Sequence, residues 1–410
     1  MIHIKALQYP INANIELPGS KSISNRLLII RAILKLETRF KNLSDAEDTI
    51  LLAKALGKIQ NAKSATIDIE HAGTDMRFLT AYLSVTEGEW IITGSDRMKE
   101  RPIGELVNGL KKFGAEISYL ENEGFPPLKI KGKKLEGGKI EINAGISSQF
   151  ISALLLIAPT FINGLELKLT GEIVSWPYIQ MTIDLLKHFG ISIEAENNLI
   201  TIKNSESDVH HSTFAIESDW SSASYYYSVM ALANKADIIL MQYSKESIQA
   251  DSVLPEIYDS LGVKTEFIRT GIKLSKKEIN ISEFNYDFTN CPDIAQTLAV
   301  TCLGLGIKAN LTGLRTLKIK ETDRIIALKN ELEKFGAEIN VTNDSIKIIP
   351  KASLPISKIH IQTYNDHRMA MCFAPLVLKC GELKIENPDV VEKSYPAFWE
   401  DLPLVGVEVL

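Results

Sequence analysis

Six times along the chain, a helix-like segment ends in a large apolar residue followed by glycine. The endings are Leu56-Gly57, Phe113-Gly114, Phe189-Gly190, Leu261-Gly262, Phe335-Gly336 and Val405-Gly406. Glycine just past a last helical turn is the common stop, because it takes the left-handed conformation without a Cβ penalty. Alternating strand-like residues follow several of these stops: Ala115-Glu116-Ile117-Ser118-Tyr119, Ile191-Ser192-Ile193-Glu194 and Ala337-Glu338-Ile339-Asn340-Val341. The spacing of 57–76 residues exceeds that of a solenoid repeat, so each copy predicts a small module of helices and strands.

Each module also carries an earlier and more apolar helix. The patterning places its starts near Asn25, Thr74, Ser148, Ser221, Pro292 and Asp366. Five of these are preferred capping types, and the sixth is proline, a first-turn residue. Bodies such as Phe150-Ile151-Ser152-Ala153-Leu154-Leu155-Leu156-Ile157 are apolar all round and predict burial. The second helices are amphipathic, as in residues 325–334, and are expected nearer solvent. The fold class expected is therefore α/β (α+β): six modules, each with one buried helix, one surface helix and a few strands. No Gly/Ser-rich or Pro-rich linker divides them.

Charged and polar residues gather at the starts of the buried helices. In Pro18-Gly19-Ser20-Lys21-Ser22-Ile23-Ser24-Asn25-Arg26, glycine and serine open a tight loop, and Ser24 or Asn25 is expected to cap a helix beginning near Arg26. The second start has Gly73 and Arg77; the third Ser147, Ser148 and Gln149; the fourth Asp219, Ser221 and Ser222. Asp293 follows Pro292 at the fifth, and His367 and Arg368 open the sixth. Arginine in a first turn opposes the helix dipole by about 0.3–1 kcal/mol. Asp75 and Asp366 offset this in part, and salt bridges to them are the structural alternative for Arg77 and Arg368. Two basic runs, Arg97-Met98-Lys99-Glu100-Arg101-Pro102 and Lys318-Ile319-Lys320-Glu321-Thr322-Asp323-Arg324, lie outside the helices. Lys99, Glu100 and Lys318 are expected to be solvated. Were these starts to converge, the pocket would suit small ligands carrying phosphate and carboxylate, which guanidinium groups pair bidentately. Asp293, Glu321 and His367 are candidate proton-transfer groups. For each, the alternative is an ion-pair partner of a neighbouring cation.

Several function classes are disfavoured. The net charge of −6 makes nucleic acid an unexpected partner. The four cysteines form no C-x-x-C pair and predict buried free thiols in a reducing compartment. The seven histidines show no metal-ligand spacing, and His210-His211 are expected to be exposed. Neither a phosphate-binding G-x-x-x-x-G-K-[ST] nor a G-x-G-x-x-G after a strand is present. The longest apolar run, Ile151 to Ile162, is broken by Pro159 and falls short of the ~18 residues of a membrane span. Met1-Ile2-His3-Ile4-Lys5 predicts an opening strand and no signal peptide, so a cytoplasmic protein is expected.

Taken in order, seven motifs resemble the family of 5-enolpyruvylshikimate-3-phosphate synthases, also called 3-phosphoshikimate 1-carboxyvinyltransferases. They are residues 18–26, Ala72-Gly73-Thr74-Asp75-Met76-Arg77, residues 97–102, Ser147-Ser148-Gln149-Phe150, Ser221-Ser222-Ala223-Ser224-Tyr225, residues 320–324 and Asn365-Asp366-His367-Arg368-Met369-Ala370-Met371. The resemblance implies transfer of the enolpyruvyl group of phosphoenolpyruvate to the 5-hydroxyl of shikimate 3-phosphate, the step before chorismate. The reaction it implies runs through a tetrahedral intermediate, with no cofactor and no metal. It implies two similar globules, each of three βαβαββ units, that close on the ligands, in a chain expected to be a monomer. Residues 1–17 with 218–410 would form one domain, holding catalytic residues on the phosphoenolpyruvate side. Residues 18–217 would form the other, with the shikimate 3-phosphate contacts.

Residue by residue, the resemblance makes Asp293 the group that takes the 5-hydroxyl proton and Glu321 the acid that protonates the methylene carbon, with Lys21 and Lys320 beside them. Phosphoenolpyruvate contacts would be Lys21, Gly73, Arg101, Gln149, Arg324, Arg368 and Lys393. Shikimate 3-phosphate contacts would be Lys21, Ser22, Arg26, Ser147, Ser148, Gln149, Ser175, Tyr178, Asp293, Thr316 and Lys320. The chain departs from the family pattern at His71, Phe78, Trp176 and Thr316, and the segment between Gly57 and His71 is short, as if one unit were trimmed. A related transferase acting on a UDP-sugar has a loop cysteine and a Lys-Asn pair. Here Ser22 follows Lys21, and no cysteine precedes Cys291. A non-catalytic binder of phosphorylated metabolites is the alternative from another class, and retention of both Asp293 and Glu321 argues against it.

Overall fold

The computed structural model describes residues 1–7, 9–145, 147–204, 212–351, 354 and 359–410. His210 and His211 lie outside the described residues. The chain divides into two compact units: Met1–Ser20 with Glu217–Leu410, and Lys21–Ile216. In the first unit the two crossing segments run side by side. Gly19 and Ser218 form an antiparallel bridge, and the Ser20 amide donates to the Glu217 carbonyl at 2.8 Å.

The described residues form five four-stranded sheets and one two-stranded sheet. One four-stranded sheet shows the plan. Ser64–Asp68 pairs in parallel with Gly88–Thr93, which pairs antiparallel with Leu128–Gly132, itself antiparallel to Glu116–Tyr119. A parallel pair needs a crossover, and the buried helix Gly73–Val85 supplies it. The outer helix Gly104–Lys112 then leads into the antiparallel pair. The unit is βαβαββ, and the other four-stranded sheets repeat its order of one parallel and two antiparallel pairings. In the first unit, the opening strands Ile2–Ala6 and Ile11–Ile15 complete sheets whose other strands come from beyond Glu217.

The module that ends near Gly57 is trimmed. Arg39–Lys41 pairs in parallel with Thr213–Ala215, and that sheet has only these two strands among the described residues. Its outer helix, Glu47–Gln60, runs through Gly57 instead of stopping there. No returning strand of its own module follows, so the helix extends and hands over directly to Ser64–Asp68 of the next module. The other five glycines, Gly114, Gly190, Gly262, Gly336 and Gly406, do take positive φ.

The buried helices are buried as their composition demands. In Trp220–Leu232 every residue but Ser221 is buried, including three consecutive tyrosines. Capping follows the expected residue types at three starts. The hydroxyl of Ser147 accepts from the Gln149 amide, Asp219 from the Ser222 amide, and Asp366 from the Arg368 amide. The first helix corrects the expectation. It spans Lys21–Leu34, so Ser24 and Asn25 lie inside it and are not caps. Both are committed to long-range bonds: Ser24 accepts from the Ser44 amide, while Asn25 donates to Asp75 at 2.8 Å and accepts from Thr49 at 2.6 Å. Satisfying these buried polar groups outweighs local capping. No helix among the described residues is long and apolar enough to cross a membrane.

Candidate active site

In the first unit, six of the expected site residues meet in one network. Pro292 fixes φ at the start of the short 3₁₀ turn Pro292–Ile294, which presents Asp293. Lys320 and Glu321 sit between the turn Arg315–Ile319 and the helix Arg324–Glu333. Asp323 caps that helix by accepting from the Ile325 and Ile326 amides, so Arg324 occupies its first position. Arg368 lies in the helix His367–Phe373, and Lys393 ends the turn Pro388–Lys393.

The distances define the network. Asp293 lies 3.0 Å from Arg368 and 3.6 Å from both Lys320 and Arg324. Glu321 pairs with Lys393 at 2.9 Å and with Arg324 at 3.0 Å. Arg324 also makes a forked pair with Asp366, at 2.6 and 3.2 Å. Thus Arg324 joins both candidate proton-transfer acids, and Asp366 holds it from behind. Burial pushes the Asp293 carboxyl up, but Arg368, Lys320 and Arg324 outweigh it and hold the group below the usual carboxylate range. Asp293 is therefore ionised at neutral pH. Asp293 and Glu321 are each ion-pair partners in a cation-rich cluster, the alternative the sequence left open for them. Buried His367 lies 3.7 Å from Asp366. Thr316 has a buried hydroxyl oxygen without a hydrogen-bond partner among the described residues.

The second unit gathers a separate set. Lys21, at the first position of its helix, pairs with buried Asp48 at 3.0 Å, so the chain itself supplies a negative charge at this helix start. Gln149 donates to Thr74 at 3.1 Å, which ties the starts of two buried helices together. Arg101 packs its guanidinium on Gly73, where an added Cβ would lie 2.3 Å from Nη1. Arg26 is buried, donating to Thr182, Ser22, Ser152 and the Tyr178 carbonyl, and burial lowers it to about 10. Ser175 holds a left-handed conformation just ahead of the helix Trp176–His188. Arg77 donates to the Gly73 and Pro102 carbonyls. Lys99 and Glu100 make partly exposed surface pairs, with Glu121 and Arg97.

A profile of the family described as EPSP synthase (3-phosphoshikimate 1-carboxyvinyltransferase) matches residues 6–64 and 55–402. A 3-phosphoshikimate 1-carboxyvinyltransferase of Bacteroides fragilis is 48% identical over 401 residues, covering 97% of this chain and 96% of that protein. The chain belongs to the EPSP synthase family. A relative of the same name from Sulfurovum sp. is 37% identical, with 99% of each chain covered. An EPSP synthase structure from Acinetobacter baumannii matches the fold with a TM-score of 0.80 at 22% identity, over the full length of both chains.

Two of the residues read as departures from the family pattern have structural partners. Phe78 is fully buried beneath the Arg26 guanidinium, 5.4 Å from the ring centre, and His71 lies 3.1 Å from Glu47. Trp176 is the first residue of its helix, with Pro177 next to it. Two carboxylates beside the expected residues were not anticipated from the sequence: Asp48 beside Lys21, and Asp251, which accepts from the Ser221 hydroxyl. Asp251 precedes Leu254-Pro255 and looks like any acidic residue ahead of a helix, so no sequence signal marked it.

Proposed function

We propose that this chain transfers the enolpyruvyl group of phosphoenolpyruvate to the 5-hydroxyl of shikimate 3-phosphate and releases phosphate. Membership of the EPSP synthase family, joined to the pairing of Asp293 and Glu321 through Arg324, carries the reading. Asp293 takes the 5-hydroxyl proton as the oxygen bonds to C2 of phosphoenolpyruvate, and Glu321 delivers a proton to the methylene carbon. Loss of phosphate, with return of a methyl proton, restores the double bond. The cations that keep Asp293 ionised are those assigned to the substrate anion. When a phosphate or carboxylate shares them, Asp293 becomes a stronger base at the moment it is needed. In the second unit, Ser22, Arg26, Ser147, Ser148, Gln149, Ser175 and Tyr178 are assigned to shikimate 3-phosphate. Lys21, Gly73 and Arg101 are assigned to phosphoenolpyruvate. The four buried free cysteines fit a reducing, cytoplasmic setting, and the protein is taken to act as a monomer.

The test is phosphate release by purified protein given phosphoenolpyruvate and shikimate 3-phosphate. Binding without release identifies a non-catalytic binder, and release only with a UDP-sugar identifies the related transferase. A sharper expectation concerns Gly73→Ala. The new methyl group displaces the Arg101 guanidinium, the movable end of a side chain, so the fold tolerates it. Losing one charged hydrogen bond of about 1.5–3 kcal/mol raises KM for phosphoenolpyruvate by about 10- to 100-fold. KM for shikimate 3-phosphate changes far less. Steady-state kinetics with each substrate varied in turn measures the difference.

A further inference from the structure

Asp251 lies in the 3₁₀ turn Ala250–Val253, outside every motif that carries the family resemblance. It is 3% exposed, and its Oδ1 has no hydrogen-bond partner among the described residues. Its Oδ2 accepts from the Ser221 hydroxyl. Ser221 Oγ in turn accepts from Arg368 Nη2 at 3.4 Å, and the same nitrogen lies 3.0 Å from Asp293. The place of Asp251 is set from both sides. Gln249, two residues earlier, accepts from the Trp220 amide at 3.1 Å and donates to the Ser218 carbonyl at 2.9 Å, anchoring the turn to the start of the helix that carries Ser221.

We propose that Asp251 is a positioning residue for Arg368: ionised, it takes the single hydrogen of Ser221, so that the serine oxygen turns its lone pairs to the guanidinium and holds it for an anionic substrate group. The proposal rests on the reading above that Arg368 binds phosphoenolpyruvate. A hydroxyl has one donor and two acceptor sites, so its direction follows the stronger acceptor. A protonated Asp251 would instead donate to Ser221 Oγ, leaving the serine hydrogen without its acceptor and free to turn toward Arg368. The groups acting on Asp251 are Asp293, Arg368, Ser221 and Asp219, and the buried Cys291 thiol lies within its field. Burial first, then repulsion by Asp293 and Asp219, raises its carboxyl to about 7 against the pull of Arg368 and Ser221. The relay is thus complete above neutrality and weakens below it.

The experiment compares the full-length protein with Asp251→Asn, Ser221→Ala and the double variant. It uses calorimetric binding of phosphoenolpyruvate in the presence of shikimate 3-phosphate, and KM and kcat from pH 6 to 8.5. At pH 8 each single variant binds phosphoenolpyruvate about 2- to 10-fold more weakly, the worth of one hydrogen bond, with kcat changed far less. The double variant is no weaker than either single one. In the parent, KM for phosphoenolpyruvate rises as pH falls through about 7, and Asp251→Asn loses that rise. Parent-like affinity and pH dependence in Asp251→Asn, or additive losses in the double variant, overturn the relay. Ser221→Ala, which removes one oxygen atom, keeps the test open should Asp251→Asn fold poorly. A parent protein that binds phosphoenolpyruvate without releasing phosphate removes the transfer reading, while the affinity differences still decide the relay.

Discussion

Replacing Asp293 with asparagine lowers turnover by about 10²- to 10⁴-fold, the usual contribution of a positioned proton-transfer group. Asparagine keeps the shape of the side chain but cannot take the 5-hydroxyl proton. The same change removes a negative charge from 3.0 Å beside Arg368 and 3.6 Å beside Lys320 and Arg324. Those cations are then less compensated, so affinity for phosphoenolpyruvate holds or tightens. The signature is kcat falling while KM stays level or falls, which a misfolded variant does not reproduce. Steady-state kinetics checks it, and near-normal turnover would take Asp293 out of the proton-transfer role.

Arg324→Ala is expected to destabilise the first unit by about 3–5 kcal/mol, the range for breaking a buried ion pair by removing one partner. Arg324 is 2% exposed, and its partner Asp366 is fully buried. Without the forked guanidinium, the Asp366 carboxylate is left in the interior with its cation gone. Arg324→Lys rescues little, because an ammonium cannot make the two parallel bonds. Adding Asp366→Asn to Arg324→Ala recovers part of the loss. The stranded charge goes, and the amide oxygen can still accept from the Arg368 amide, as Asp366 does at 2.9 Å. Urea unfolding followed by circular dichroism measures the effect. A midpoint for Arg324→Ala equal to the parent's would mean that the pair contributes nothing to the fold.

Much of the fold was legible in the pattern of residues. Five of the six apolar-Gly stops are true helix ends with glycine at positive φ. Ser147, Asp219 and Asp366 cap their helices, at the expected start or within two residues of it. These are local matters of backbone conformation and hydrogen bonding within one turn, so neighbours in sequence suffice to reveal them. Gly57 misled because, among the described residues, its module has no returning strands to make a stop necessary. Ser24 and Asn25 misled for a related reason. Their partners, Ser44, Thr49 and Asp75, come from other elements, and nothing in the neighbouring residues announces them.

Alone, the amino-acid order determined the number of modules, the polarity of their helices and the motifs that mark the family, because each depends on short-range periodicity. Only the tertiary structure decided which charges share an environment. Arg324 bridges Asp293 and Glu321 of its own module to Asp366 of the next, and Asp251 lies behind Ser221, 30 residues away in the chain. Electrostatic energy depends on distance and burial, and packing sets both.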